Sequence, residues 1–129
     1  MKILFLGDVI GIAGCSKISN NLLEQIKKNK IDFVIINAEN AAESGVDAIG
    51  LDHGVDPIWA GQNLPAKMPV QGNLDPLSLL NSGAEMFRDI DHILDAFHDR
   101  PHIFNLGHGI TPPTPVENVQ KMIDHIRNR

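Results

Sequence analysis

Apolar residues gather into five short runs along the chain: "KILFLG" (2–7), "DFVIIN" (32–37), "DAIGLD" (47–52), "MPVQGN" (68–73) and "HIFNLG" (102–107). The first two are apolar at successive positions, as in parallel strands covered on both faces. The last two alternate more, which leaves one face of each against something polar. Between the runs the spacing becomes helical. Ile18, Leu22, Leu23 and Ile26 predict one apolar helix face. Asp56 with Pro57, and Asp75 with Pro76, each read as a cap followed by a first-turn proline. Ser82 and Glu85 predict a capping box ahead of Phe87, Ile90, Leu94 and Phe97. Thr114 and Glu117, with Pro115 between them, predict the start of a last helix that turns Val116, Val119, Ile123 and Ile126 to the core.

Strands that alternate with helices pair in parallel through right-handed crossovers. The pattern therefore predicts one α/β domain over residues 1–129, with a five-stranded parallel sheet and helices on both faces. The expected architecture is a flavodoxin-like or Rossmann-like three-layer sandwich, because the familiar closed parallel barrel needs eight strands. One crossover is short. About ten residues separate Asn37 from Asp47, where a parallel connection usually takes a dozen or more. The fold is expected to be least regular there.

Composition narrows the class of protein without changing the fold. A 129-residue chain is about one domain long. Its 43% apolar and 21% charged residues suit a soluble globular protein. The net charge is −5, and the basic cluster Lys27, Lys28 and Lys30 suits a helix C-terminus. With no tyrosine and one tryptophan, the chain lacks the basic and aromatic face of a nucleic-acid binder. Cys15 is the sole cysteine, so no internal disulfide is expected and a reducing cytoplasm fits. No apolar stretch is long enough to span a bilayer, and Asp8 interrupts the apolar start, so neither a membrane partner nor export is expected.

Ligands of parallel α/β sheets bind beyond the carboxyl ends of the strands. There the sequence places Asp8; Asn37, Glu39 and Asn40; Asp52 and His53; Asn73 and Asp75; and Asn105 and His108. Asp8, Glu39 and Asn40 are hard oxygen donors suited to manganese, magnesium or ferrous iron, and paired metals activate water against phosphate esters. The plainer reading makes them turn and cap residues. His53 is either a loop residue or a further metal ligand facing Asp8 and Glu39. Asn73, Asp75 and Asn105 are candidate contacts for a small anionic ligand, although capping alone explains Asp75. His108 stands between glycines at a strand end and is the candidate catalytic residue. His92, His98, His102 and His125 read as solvated or helix-end residues.

Two resemblances bear on these candidates. "MKILFLGDVIGIAG" with "IDFVIINAENAA" resembles the N-terminus of bacterial calcineurin-like metallophosphoesterases, which hydrolyse cyclic nucleotides and related phosphodiesters. It covers about residues 1–43 and implies that Asp8, Glu39 and Asn40 are metal ligands; the asparagine and histidines that complete that family's centre have no counterpart downstream. From about Gly45, "GVDAIGLDHGVDPIWAGQNLPAKMPVQGNLDP" and "HIFNLGHGITPPTPVENVQKMIDHIR" resemble the C-terminal part of uroporphyrinogen decarboxylase, a (β/α)8 barrel of haem biosynthesis. That resemblance implies that His108, in "LGHG", is a substrate-pocket histidine. It also implies that the arginine, aspartate and tyrosine residues for tetrapyrrole binding and decarboxylation belong to a part of the family's sequence that is not matched.

Together these readings make the chain a chimera, residues 1–43 and 44–129 joined between about Glu43 and Val46, without efficient inherited catalysis. A weak metal-dependent phosphodiesterase using Asp8, Glu39 and Asn40 is one alternative. Porphyrin or anion binding near His108 and the last helix N-terminus is another. A sheet face that formed a barrel interior, Gln71 included, would need cover from helices or from self-association.

Overall fold

The computed structural model describes residues 1–6, 11–37 and 46–129. Its elements are β1 (Ile3–Leu6), α1 (Gly11–Asn29), β2 (Phe33–Asn37), β3 (Ala48–Gly50), α2 (Pro57–Asn63), β4 (Val70–Leu74), α3 (Pro76–Asn81), α4 (Ala84–Ala96), β5 (His102–Leu106) and α5 (Val116–Arg127). The five strands form one all-parallel sheet, as the alternation of the sequence predicts. Among the described residues no helix is long and apolar enough to cross a membrane.

Strand order corrects the finer expectation of a three-layer, flavodoxin-like sandwich. The sheet runs β1-β2-β3-β4-β5, with no point where the order reverses. Right-handed crossovers taken always in the same direction put every helix on the same face. Register shows which face this is. Leu4, Val34, Ile36, Ile49 and Val70 lie side by side across the sheet. They pack with Leu22 of α1, Ala60 of α2, Leu79 of α3 and Met86, Ile90 and Ile93 of α4 in one core.

The opposite face carries Ile3 and Phe5 from β1, Phe33 and Ile35 from β2, Ala48 and Gly50 from β3, Gln71 from β4, and Ile103 and Asn105 from β5. Ile3 is 51%, Phe5 55% and Ile103 53% exposed. The first strand is therefore covered on one side only, although its apolar run suggests two. Both Phe5 of β1 and Asn105 of β5 line one cleft, so the sheet curls and this face is concave.

Local signals explain the helix ends unevenly. The Asp56 carboxylate accepts from the Trp59 amide at 2.7 Å, and that of Asp75 from the Leu77 amide at 2.8 Å, which satisfies first-turn donors as the sequence predicts. The capping box at Ser82 does not form. Ser82 ends α3 with φ 44°, Gly83 becomes the residue before α4 with no side-chain cap, and Glu85 reaches Arg88 at 3.4 Å. Thr114 likewise caps nothing: its hydroxyl lies 2.8 Å from that of Thr111, and Pro115 precedes α5. Leu23 is exposed, because the residue after buried Leu22 is rotated about 100° around α1. Val116, in the first turn of α5, is 77% exposed rather than in the core.

Two long polar side chains tie the outer layer together. The Asn118 amide of α5 donates to the carbonyls of Leu79 and Leu80 at 3.1 and 3.0 Å, satisfying acceptors left at the end of α3. The Arg100 guanidinium donates to the Gly61 carbonyl at 2.6 Å and joins the end of α2 to the approach to β5.

Candidate functional site

The C-terminal rim is built around a close backbone crossing. Gly107, just after β5, donates its amide to the Leu74 carbonyl at 2.8 Å, extending the ladder to β4. A Cβ at that position would lie 2.2 Å from the His53 amide nitrogen. The loop after β3 and the loop after β5 thus touch main chain to main chain. His53 and His108 face each other as a result, with ring centroids 6.4 Å apart and planes at 90°. The Asp52 carboxylate shapes its side of the crossing by accepting from the Gly54 amide at 2.8 Å, and lies 3.4 Å from His53 Nδ1.

The sequence-nominated residues divide between two clefts. Asn105 and His108, with Phe5 and Gln71, line a cleft of about 580 Å³ on the concave side and rim. Asn105 Oδ1 accepts from the Leu106 amide at 2.9 Å, and its side chain is otherwise exposed. His53, Asn73 and Asp75 border a smaller cleft of about 210 Å³, together with Asp89 and His92. Asn73 is 4% exposed. Its amide group donates to the Asp52 and Val55 carbonyls at 3.2 and 2.7 Å, so it fixes the loop that carries His53. Asp75 is committed to capping α3. The structure thus brings Asn105 and His108 together in one cleft, with His53 beside His108, and gives Asn73 and Asp75 internal partners.

The candidate metal ligands Asp8, Glu39 and Asn40 lie outside the described residues. Among the described residues no group of three or more His, Cys, Asp or Glu side chains is arranged to hold a metal ion. His53 therefore stands with Asp52 and His108 and does not complete a described cation site.

Sequence reasoning missed the role of Gly107, which is a demand for space made by a distant loop and leaves no local mark. Phe5 was missed for a different reason: the alternation of Ile3 and Phe5 against Leu4 and Leu6 signals a second face, hidden within an apolar run.

Two of the histidines read as solvated or helix-end residues have partners: His125 does lie in the last turn of α5, and His102 is neither solvated nor at a helix end. His125 Nε2 lies 2.9 Å from Asp91 Oδ1 and its ring stacks 4.7 Å from Phe87, joining α5 to α4. His102 packs between Phe97 and Phe104, and its Nε2–H donates to the Gly72 carbonyl at 2.7 Å. Burial lowers its pKa below the ordinary 6.5, partly opposed by that hydrogen bond. Unfolding exposes a more basic imidazole, so the unfolded chain binds more protons as pH falls through 6.5. This contribution to stability is complete above 6.5 and declines below it. Urea unfolding is expected to show a steeper acid loss for the parent chain than for His102→Gln, which keeps a donor but does not titrate.

A curled sheet of consecutive parallel strands, with the described helices outside and polar side chains at the C-terminal rim, defines an arc of a (β/α) barrel wall. A family model for uroporphyrinogen decarboxylase (URO-D) matches residues 16–129. The chain belongs to the uroporphyrinogen decarboxylase family. It is 56% identical over 87 residues to uroporphyrinogen decarboxylase of Novosphingobium aromaticivorans, covering 67% of this chain and 26% of that protein. The enzyme of the same name from Sphingopyxis alaskensis is 61% identical over 87 residues, 67% of this chain and 25% of the relative. The one from Maricaulis maris is 54% identical over 89 residues, 69% and 26% respectively. The chain spans about a quarter of the length of these curated relatives. The matches offer no counterpart to the phosphoesterase resemblance of residues 1–43, and the family match crosses the junction expected near residues 43–46.

Proposed function

We propose that this chain is a folded arc of a uroporphyrinogen-decarboxylase-type barrel that lacks efficient catalysis by itself and binds an acidic porphyrin weakly beside His108. The observation that carries this reading is the rim cleft of about 580 Å³, which joins apolar Phe5 to polar Gln71, Asn105 and His108. Such a mixture suits a flat apolar ring edged with carboxylates, since a few polar groups orient a ligand that apolar walls retain. His108 supplies an imidazole donor to one carboxylate. Among the described residues, the His53 ring faces that imidazole at 6.4 Å. The tyrosine that the resemblance implies for decarboxylation belongs to a part of the family's sequence that these residues do not match. The motifs at Asp8, Glu39 and Asn40 enter as remnants of a second parent, a proposal carried by those motifs alone.

The test is an absorbance titration with a carboxylated porphyrin, coupled to an assay of uroporphyrinogen turnover. His108→Ala is expected to weaken binding roughly fivefold, the worth of one hydrogen bond of about 1 kcal/mol. Equal affinity would remove His108 from the site. Decarboxylated product formed by the chain alone would overturn the non-catalytic reading.

A further inference from the structure

The smaller rim cleft, of about 210 Å³, lies between the loop after β3, the end of β4 and the second and third turns of α4. Neither β1 nor β5, the outer strands of the sheet, lines it. Asn73 does, and it is 4% exposed. Its amide nitrogen donates to the Asp52 and Val55 carbonyls, which fixes the orientation of the group, since a flip would set oxygen against oxygen. The carboxamide oxygen Oδ1 is buried and accepts no hydrogen bond among the described residues. A buried acceptor left without a donor is unfavourable, and a donor entering the cleft would satisfy it.

The walls add acceptors to the same space. Asp75 Oδ1 takes the Leu77 amide, and Asp89 Oδ2 takes the Ser78 hydroxyl at 2.5 Å, so each carboxylate keeps a second oxygen. The first-turn amides of α3 partly offset the Asp75 charge. Asp89 stands in the second turn of α4, beyond the reach of such an offset. No lysine or arginine lines the cleft, and Leu74 and Ile93 give it apolar surface.

This set suits N–H donors better than a bare ion. A divalent metal draws its ligands to within about 2.0–2.6 Å of one point, and among the described residues no three His, Cys, Asp or Glu side chains are so arranged. An ammonium group reaches acceptors at about 2.7–3.2 Å in three directions, which tolerates wider spacing. The volume is about seven times a water's share of the liquid, below the roughly 300–1,000 Å³ of drug-sized sites. We propose that this cleft binds a small primary alkylammonium ion, whose N–H groups donate to Asn73 Oδ1 and to the Asp75 and Asp89 carboxylates while its short chain lies on Leu74 and Ile93.

Titration of the ¹⁵N-labelled chain with n-butylammonium chloride tests this directly. The Asn73 side-chain amide signals are expected to shift saturably, with a Kd of about 1–10 mM. Those of Asn105, which lines the other cleft, are expected to stay in place. Tetramethylammonium chloride carries the same charge without an N–H group and is expected to shift neither. Asp89→Asn removes a charge at an exposed position and still accepts from Ser78, so the fold is expected to survive, as checked by circular dichroism. It is expected to weaken butylammonium binding roughly fivefold, the loss of one charge-assisted hydrogen bond. Asp99→Asn, an exposed carboxylate beyond the far end of α4, is expected to leave binding unchanged. No saturable shift at Asn73 overturns the proposal, as does an equal response to tetramethylammonium or undiminished affinity in Asp89→Asn. Zinc or magnesium chloride shifting the same signals at lower concentration than butylammonium overturns it in favour of a metal. Porphyrin is absent from every arm, so failure here is separate from failure of the reading at His108.

Discussion

Phe97→Ala is expected to destabilise the fold by about 3–5 kcal/mol, a large part of the roughly 5–15 kcal/mol available to a domain. Phe97 ends α4 and is 1% exposed. Its amide donates to the Ile93 carbonyl at 3.2 Å, and its ring lies 4.8 Å from that of His102 at the start of β5. The side chain thus fills the place where α4 turns back into the sheet. Truncation removes buried apolar area and leaves a cavity between main-chain elements that hydrogen bonds hold in place, so collapse gives little relief. Urea unfolding should show a lower midpoint with the slope unchanged. The same change at Phe5, more than half exposed on the open face, is expected to cost within about 1 kcal/mol. Equal losses at the two positions would mean that the face carrying Phe5 is covered in solution.

The contrast between these phenylalanines also marks what the sequence made legible. Helical spacing in residues 87–97 identifies Phe97 as core, and the aspartate–proline pairs place the starts of α2 and α3, because each signal is local and acts within one turn. Strand existence and parallel pairing follow from alternation with helices in the same way. Strand order does not. Whether β2 lies outside β1 or between β1 and β3 depends on which edge each crossover chooses, and no short stretch of sequence records that choice. The expectation of helices on both faces failed at that step, and the exposure of Ile3, Phe5 and Ile103 follows from the same choice. Ser82 shows a smaller version. Its sequence suits a cap, yet the chain needs a left-handed residue to leave α3, and one backbone cannot serve both ends.

At the candidate site, the strand-end rule found His108 and Asn105 because position along a parallel strand is enough to place them on the rim. Asn73 obeys the same rule and faces inward, because the loop after β3 needs an amide to hold the Asp52 and Val55 carbonyls. Chemistry at a strand end is therefore legible, while the division between ligand contact and loop support depends on contacts across 18 to 21 residues of sequence.

Gly107→Ala is expected to cost about 3 kcal/mol, lowering the melting temperature by roughly 10 °C. The added Cβ would stand 2.2 Å from the His53 nitrogen, 2.7 Å from its Cα and 2.8 Å from the Asp52 carbonyl carbon. All three are main-chain atoms, so no rotamer change makes room and one loop must withdraw. Withdrawal of the β5 loop strains the Gly107 amide bond to Leu74; withdrawal of the β3 loop strains the Asn73 bonds to Asp52 and Val55. Either movement separates His53 from His108. Gly109, two residues on, has nothing within 4 Å of an added Cβ, so Gly109→Ala is expected to stay within about 0.5 kcal/mol of the parent. Differential scanning fluorimetry distinguishes the two glycines, and porphyrin titration of the same variants tests the site: if the loop crossing positions His108, Gly107→Ala weakens binding below the melting transition while Gly109→Ala does not. A Gly107→Ala chain with unchanged melting temperature would show that the two loops do not meet in solution, and the rim would then lose the contact that orients its histidines.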